Sequence, residues 1–205
     1  FMVTLFSVSS HHPFKVPEKH QGRFKKGPLE IHEPIGYTDY ALKQFFKTAQ
    51  KMPWFNNTIF VLVADHTNQV AYQEYEKSIN RFAVPILFYS PNPKYQLQGE
   101  ITEPAQQMDI YPTLADLMGY NNKIRSWGRS LVSDKKEDYM IINSDSINEQ
   151  FMIGNYIYLF NGKEVTGIYM IDDKGLEKNL LNKVNNPEIQ KGILEISGRE
   201  EPFDV

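Results

Sequence analysis

The sequence contains no cysteine. That excludes disulfides, thiolate metal sites and cysteine nucleophiles, and leaves the compartment open. It has no apolar run near the roughly 18 residues that a membrane-spanning helix needs. It has no internal repeat and no low-complexity tract. Neither sign of charge dominates: 22 basic side chains against 25 acidic ones give a formal net charge of −3. Near balance offers no bulk electrostatic case for nucleic acid as a partner. The one local basic cluster, Arg23, Lys25 and Lys26, reads as a solvated loop. What is present is a hydrophobic share of 41% over 205 residues. That suffices for one sizeable domain, or one domain with a small appendage, and argues against disorder.

The chain opens on Phe1-Met2-Val3-Thr4-Leu5-Phe6-Ser7-Val8, and Met2 to Ser9 has the apolar, β-branched content of a buried strand. A domain rarely begins inside its own core, so we expect a piece of something longer. Residues 13–32 lack periodicity and predict a long loop, of the kind that often borders a site. Tyr37 to Lys51 carries Tyr37, Ala41, Leu42, Phe45, Phe46 and Ala49 at helical spacing, stopped by Pro53. Thr58 to Ala64 is a continuous apolar run, the pattern of a parallel strand covered on both faces. Gln73 to Ser78 predicts a short helix, Ala83 to Tyr89 a strand, and Gln106 to Met118 a helix closed by Gly119. The order predicts an α/β sheet. After Gly128 the texture changes to short strands, 138–143, 150–153, 156–160 and 167–171. Hairpin turns are signalled at Gly154-Asn155 and Asn161-Gly162. A helix follows from about Pro187 to Ser197. The aromatic residues of these strands, Tyr156, Tyr158, Phe160 and Tyr169, read as core.

The chemistry concentrates at Asp65-His66, directly after the apolar strand. In open α/β sheets, ligands bind beyond the carboxyl ends of the strands. A carboxylate and an imidazole there suit a borderline divalent metal such as Zn²⁺ or Mn²⁺. The first predicted strand also ends in histidines, His11-His12. The plainer reading of an Asp-His pair, a helix cap followed by a surface histidine, stays open on these residues alone. His20 and His32 read as solvated loop side chains, Asp39 as a cap at a helix start, and Asp109 as a structural partner near a helix N-terminus. Pro112 fits a first helical turn.

Four segments in this order resemble the C-terminal half of the sulfatase family within the alkaline phosphatase superfamily, and most of all its lipoteichoic acid synthase-like, phosphoglycerol transferase branch. They are Ser9-Ser10-His11-His12-Pro13-Phe14, Gly36 to Phe46, Thr58 to His66, and Met108-Asp109-Ile110-Tyr111-Pro112-Thr113 with the following Leu114 to Gly119. Val84-Pro85-Ile86 and Gly128-Arg129-Ser130-Leu131 add to it, and the likeness runs to about residue 131. The fold implied is an alkaline-phosphatase-like, mostly parallel sheet flanked by helices over residues 1–131. A small antiparallel β meander with a terminal helix would occupy 132–205.

The resemblance implies that Asp65 and His66 are metal ligands and that His11 contacts the phosphate or the leaving group. The metal it implies is divalent, Mn²⁺ first, with Mg²⁺, Zn²⁺ or Ca²⁺ as alternatives. The nucleophile and the other acidic ligand would lie upstream, the nucleophile being threonine in this branch and a modified Cys or Ser in true sulfatases. The implied substrate is a phosphodiester lipid, or a sulfate or phosphate ester. Attachment to the cell membrane would come through a missing N-terminal region, with the catalytic domain outside the cytoplasm. Thr67 stands where the family often has Gly, Tyr or Asn after Asp-His, which leaves the substrate subclass open. Sulfate-ester hydrolysis, and a catalytically silent envelope domain that binds glycan or lipid, are the competing readings.

Overall fold

Strand β6, Tyr156–Phe160, organises the larger part of the molecule. Its side chains alternate between two faces, and both faces are covered. In the computed structural model, which describes residues 1–76, 78–133, 140–144, 148–173, 176–198 and 203–204, β6 is an inner strand of a four-stranded antiparallel sheet. The order is β4 (Ile141–Ser144), β5 (Glu149–Ile153), β6 and β7 (Val165–Met170). Tyr158 stands opposite Phe151 on one side and Ile168 on the other. These residues pack with Met140, Tyr156, Leu180, Ile189 and Ile196 into one cluster. The opposite face places Ile157 and Met152 against Ile79. Burying each such side chain contributes about 1.5–3 kcal/mol. The tight turns fall at Gly154 (φ 54°) and Gly162 (φ 87°), where glycine carries the positive φ without strain. Residues 138–139 of the first predicted meander strand lie outside the described residues.

Helix α3, Pro187–Ser197, covers the first face. Asn186 caps it by accepting from the Glu188 N–H at 2.9 Å, and Pro187 occupies the first position, where no donor is lost. Ile189, Gly192 and Ile196 form its buried stripe. Gly192 is required by packing, since a Cβ there would run into the Tyr158 ring and hydroxyl.

The chain divides into two compact units: Phe1–Phe60 with Phe88–Leu97, and Val61–Leu87 with Gln98–Val205. The meander and α3 belong to the second, together with α2 (Ile110–Leu117) and a short pair formed by β3 (Arg125–Ser126) and β8 (Phe203–Asp204). The first unit is built on α1, His32–Ala49. Strands β1 (Phe60–Val63) and β2 (Ile86–Tyr89) pair as a two-stranded sheet. Within the first unit Phe60 centres an aromatic cluster, its ring 5.1 Å from Phe46, 5.5 Å from Phe55 and 6.0 Å from Tyr89. The structure describes no helix long and apolar enough to cross a membrane.

Several expectations change here. Residues 1–8 form no strand, and their apolar side chains are 66–89% exposed. Apolar, β-branched content specifies a strand only where a neighbour offers a ladder, and no described strand pairs with this segment. Helix α1 starts at His32 rather than Tyr37. Pro34 lies in its first turn, where the missing N–H has no helical partner to lose, and Gly36 lets the helix approach Phe24. Asp39 is therefore an exposed mid-helix residue, not a cap. Strand β1 is half-buried rather than covered on both faces.

Burial, then the neighbouring Tyr156, Glu195 and Glu188, pushes the Tyr158 hydroxyl up to about 12, and this oxygen has no hydrogen-bond partner among the described residues. The unfolded chain releases this proton near the ordinary value of 10.0 and the folded chain does not. Stability is therefore complete below pH 10 and falls as pH rises through about 12. Tyr158→Phe should flatten that alkaline loss in urea titrations without lowering stability at neutral pH. Gly192→Ala, favourable in most helices, should here cost about 1–3 kcal/mol, read as a lower urea midpoint.

Candidate functional site

Strand β1 ends at Val63, and the next residues are exposed backbone carrying Asp65 and His66. Each group on this short stretch is tied. The His66 N–H donates to Asp65 Oδ1 at 2.8 Å. His66 Nδ1 lies 3.1 Å from the Thr67 carbonyl, which can only accept, so the ring is the Nδ1–H tautomer. Nε2, the other ring nitrogen, stands 3.7 Å from Asp65 Oδ2. The Thr67 N–H donates to the Arg81 carbonyl at 2.6 Å, and the Phe82 ring stands edge-on to the imidazole at 6.1 Å. Gln107 Nε2 donates to the carbonyls of Ala64 at 2.7 Å and Asp65 at 2.8 Å.

Asp65 Oδ2 and His66 Nε2 suit a divalent ion. Two donors at about 2.0–2.1 Å from one tetrahedral metal lie about 3.3 Å apart, a few tenths of an ångström less than the distance found. A carboxylate oxygen and a neutral imidazole nitrogen are donors that Mn²⁺ and Zn²⁺ accept. Among the described residues no group of three or more His, Cys, Asp or Glu gathers. Asp65 and His66 are thus two residues that could hold such an ion together.

His11 belongs to the first unit. Its Nδ1 donates to the His12 carbonyl at 2.8 Å, so Nε2 of this exposed ring is turned outward. His20 and His32 are not the solvated side chains expected. His20 accepts from Arg23 Nη1 at 2.6 Å and packs between Tyr37 and Tyr40, each 5.4 Å away. Burial, then the charges of Arg23 and Lys19, lowers its pKa. His32 accepts the Leu29 N–H at 3.1 Å beside the start of α1. Arg23 is likewise organised, its guanidinium 5.1 Å from the centre of the Tyr40 ring.

A family model described as Sulfatase matches residues 1–120, more than half of the chain. The chain belongs to the sulfatase family. It is 23% identical over 180 residues to a lipoteichoic acid synthase-like protein, YvgJ, of Bacillus subtilis, covering 78% of this chain and 28% of that one. It is 25% identical over 183 residues to a sulfatase of Formosa agariphila, covering 84% and 35%. It is 24% identical over 150 residues to phosphoglycerol transferase I of Citrobacter koseri, covering 70% and 19%. This sulfatase-family chain thus spans about a third or less of the length of these relatives. A crystal structure of an alkaline phosphatase superfamily protein from Vibrio parahaemolyticus superposes with a TM-score of 0.68 at 23% identity, over 93% of this chain and 46% of that one. The fold is thereby that of the alkaline phosphatase superfamily, and the superposition covers too much of the chain to leave the meander out.

In this sulfatase-family chain the Met108-Asp109 segment stands next to Gln107, which bonds the Ala64 and Asp65 carbonyls. Asp109 is 1% exposed. Its Oδ2 accepts the Gln106 N–H and its Oδ1 the Arg129 N–H, each at 2.9 Å. Burial raises the Asp109 pKa, while these two N–H groups and the Arg129 charge draw it down. Thr113 Oγ1 donates to the Asp109 carbonyl at 2.6 Å and accepts from the Leu131 N–H at 2.9 Å. Gly128 lies so near the Met108 carbonyl that no Cβ would fit. The structural role expected for Asp109 agrees with this geometry. Sequence reasoning missed Gln107, Arg81 and Phe82. Gln107 stands next to a motif that could have drawn attention to it, but its partners are more than 40 residues away. Asp109→Asn should cost about 1–3 kcal/mol in urea unfolding, because an amide nitrogen then faces a buried backbone N–H.

Proposed function

We propose that this chain supplies two metal ligands and a substrate-facing histidine to an enzyme that transfers a phosphoryl group from a phosphodiester at the cell envelope. The observation that carries the reading is the Asp65 Oδ2 and His66 Nε2 pair, turned outward 3.7 Å apart at a strand exit. Relatives described as a lipoteichoic acid synthase-like protein and a phosphoglycerol transferase support the phosphodiester class. The metal proposed is Mn²⁺, with Mg²⁺, Zn²⁺ or Ca²⁺ as alternatives. When bound, it would lower the pKa of a coordinated hydroxyl and neutralise charge developing on phosphoryl oxygens.

The residues of this chain then have separate tasks. Asp65 contributes the anionic donor. His66 contributes a neutral nitrogen whose tautomer the Thr67 carbonyl sets. His11 presents Nε2 to substrate, either hydrogen-bonding a non-bridging oxygen or delivering a proton to the leaving oxygen. The nucleophile, a threonine in this reading, and the remaining ligand are assigned to sequence beyond these 205 residues. The donor is a phosphatidylglycerol-like lipid, and the catalytic domain faces the outside of the cytoplasmic membrane. Sulfate-ester hydrolysis is the second reading, favoured by the likeness to the Formosa agariphila sulfatase.

The test uses the whole protein that contains this chain, assayed with Mn²⁺ on fluorescent phosphatidylglycerol and on an aryl sulfate. Turnover of the lipid is expected, and turnover of the sulfate ester alone overturns the phosphodiester reading. Asp65→Ala and His66→Ala should each remove bound metal, measured by elemental analysis, and abolish turnover. His11→Ala should keep the metal and slow turnover by about 10²–10⁴-fold. The 205-residue chain by itself should bind Mn²⁺ weakly and turn over nothing.

A further inference from the structure

A carboxamide nitrogen has two hydrogens, and Gln107 uses both on one short piece of backbone, donating to the carbonyls of Ala64 and Asp65 at 2.7 and 2.8 Å. In an extended strand, consecutive carbonyls point in opposite directions. A single amide group that reaches both must meet a backbone turned out of the strand between them. That turn sits at the exit of β1. It brings the next N–H, that of His66, back onto Asp65 Oδ1, which leaves Oδ2 beside His66 Nε2.

We infer that Gln107 is a positioning residue for the Asp65–His66 pair, holding the strand exit in the one backbone arrangement that turns both donor atoms outward together. The inference rests on the metal reading of that pair. Gln107 is itself well anchored, as the first residue of a 3₁₀ turn, Gln107–Asp109. Buried Asp109 closes that turn onto the Gln106 N–H and ties it to Arg129. The preceding Gln106 reaches the other way. Its Nε2 donates to the Met140 carbonyl at 2.8 Å, and its Oε1 accepts the Ile142 N–H at 3.2 Å, where β4 begins. Two adjacent glutamines thus link the backbone of the meander to the backbone of the ligand pair. The meander thereby gains a role as the foundation from which the ligand pair is held. Gln107 is exposed, so its removal should disturb the pair far more than the fold.

The test compares wild type with Gln107→Met, which keeps length and loses both donors, and with Gln107→Asn, which keeps the amide and withdraws it by one methylene. The ¹⁵N-labelled chain is titrated with Mn²⁺ alone, following paramagnetic broadening at Asp65 and His66, and the His66 ring nitrogens are read without metal. The expected result is a loss of Mn²⁺ affinity of about 10–100-fold in both variants, a mixed His66 tautomer, and an unchanged urea midpoint. Unchanged affinity and tautomer in the variants overturn the inference, as does a lowered midpoint with the ligand pair undisturbed. If wild type shows no broadening at Asp65 and His66, the metal reading fails. A shifted His66 tautomer in the variants then still supports the positioning of the pair, and an unshifted one ends both ideas.

Discussion

The Asp109 carboxylate is the constraint on which the second unit depends. A buried carboxylate is tolerated only when its oxygens are satisfied, and here both are, by the backbone N–H groups of Gln106, three residues before it, and of Arg129, 20 residues after it. This single side chain fixes the direction of the 3₁₀ turn, the start of α2 and the approach of the Gly128 backbone. From that turn Gln106 reaches to β4 and Gln107 to the exit of β1. The helix behind it is held by Thr113, which bonds both the Asp109 carbonyl and the Leu131 N–H. Each of these groups is polar and lies near apolar elements, so a failure at Asp109 would leave several donors without partners at once.

The Asp65–His66 pair is lightly built, with Asp65 exposed and His66 half-buried. Asp65 and His66 take their shape from backbone hydrogen bonds rather than from packing, and these place two donor atoms side by side. The sulfatase-family chain spans between 19% and 35% of the length of the curated relatives. The meander and α3 supply most of the buried apolar surface of the second unit, and the superposition on the Vibrio parahaemolyticus structure takes in 93% of the chain.

Elements whose reasons are local were legible beforehand. Helix α3 was expected over Pro187 to Ser197 and has those bounds. Its cap, its proline and its apolar spacing all act within one turn. Strand β6 and the turns at Gly154 and Gly162 were legible for the same reason, because glycine and asparagine decide such turns through their own φ preferences. The first segment was misread as a strand, since strand formation needs a partner that local sequence does not specify. The start of α1 was placed too late. Loop-like residues such as Pro34 and Gly36 turned out to be compatible with a helix once Phe24 packed beside it.

By itself, the sequence determined the family, through the order of short motifs, and it determined which residue types stand at the strand exit. Asp and His bring their donor atoms wherever the chain places them. Only the tertiary structure decided the arrangement of those atoms. The tautomer of His66, the free oxygen of Asp65 and the Gln107 link depend on carbonyls that every residue carries alike, so sequence cannot single them out. The same holds for His20 and Arg23, read as solvated and found packed against Tyr37 and Tyr40. Aromatic faces and backbone carbonyls become partners only when folding brings distant segments within hydrogen-bonding or van der Waals reach.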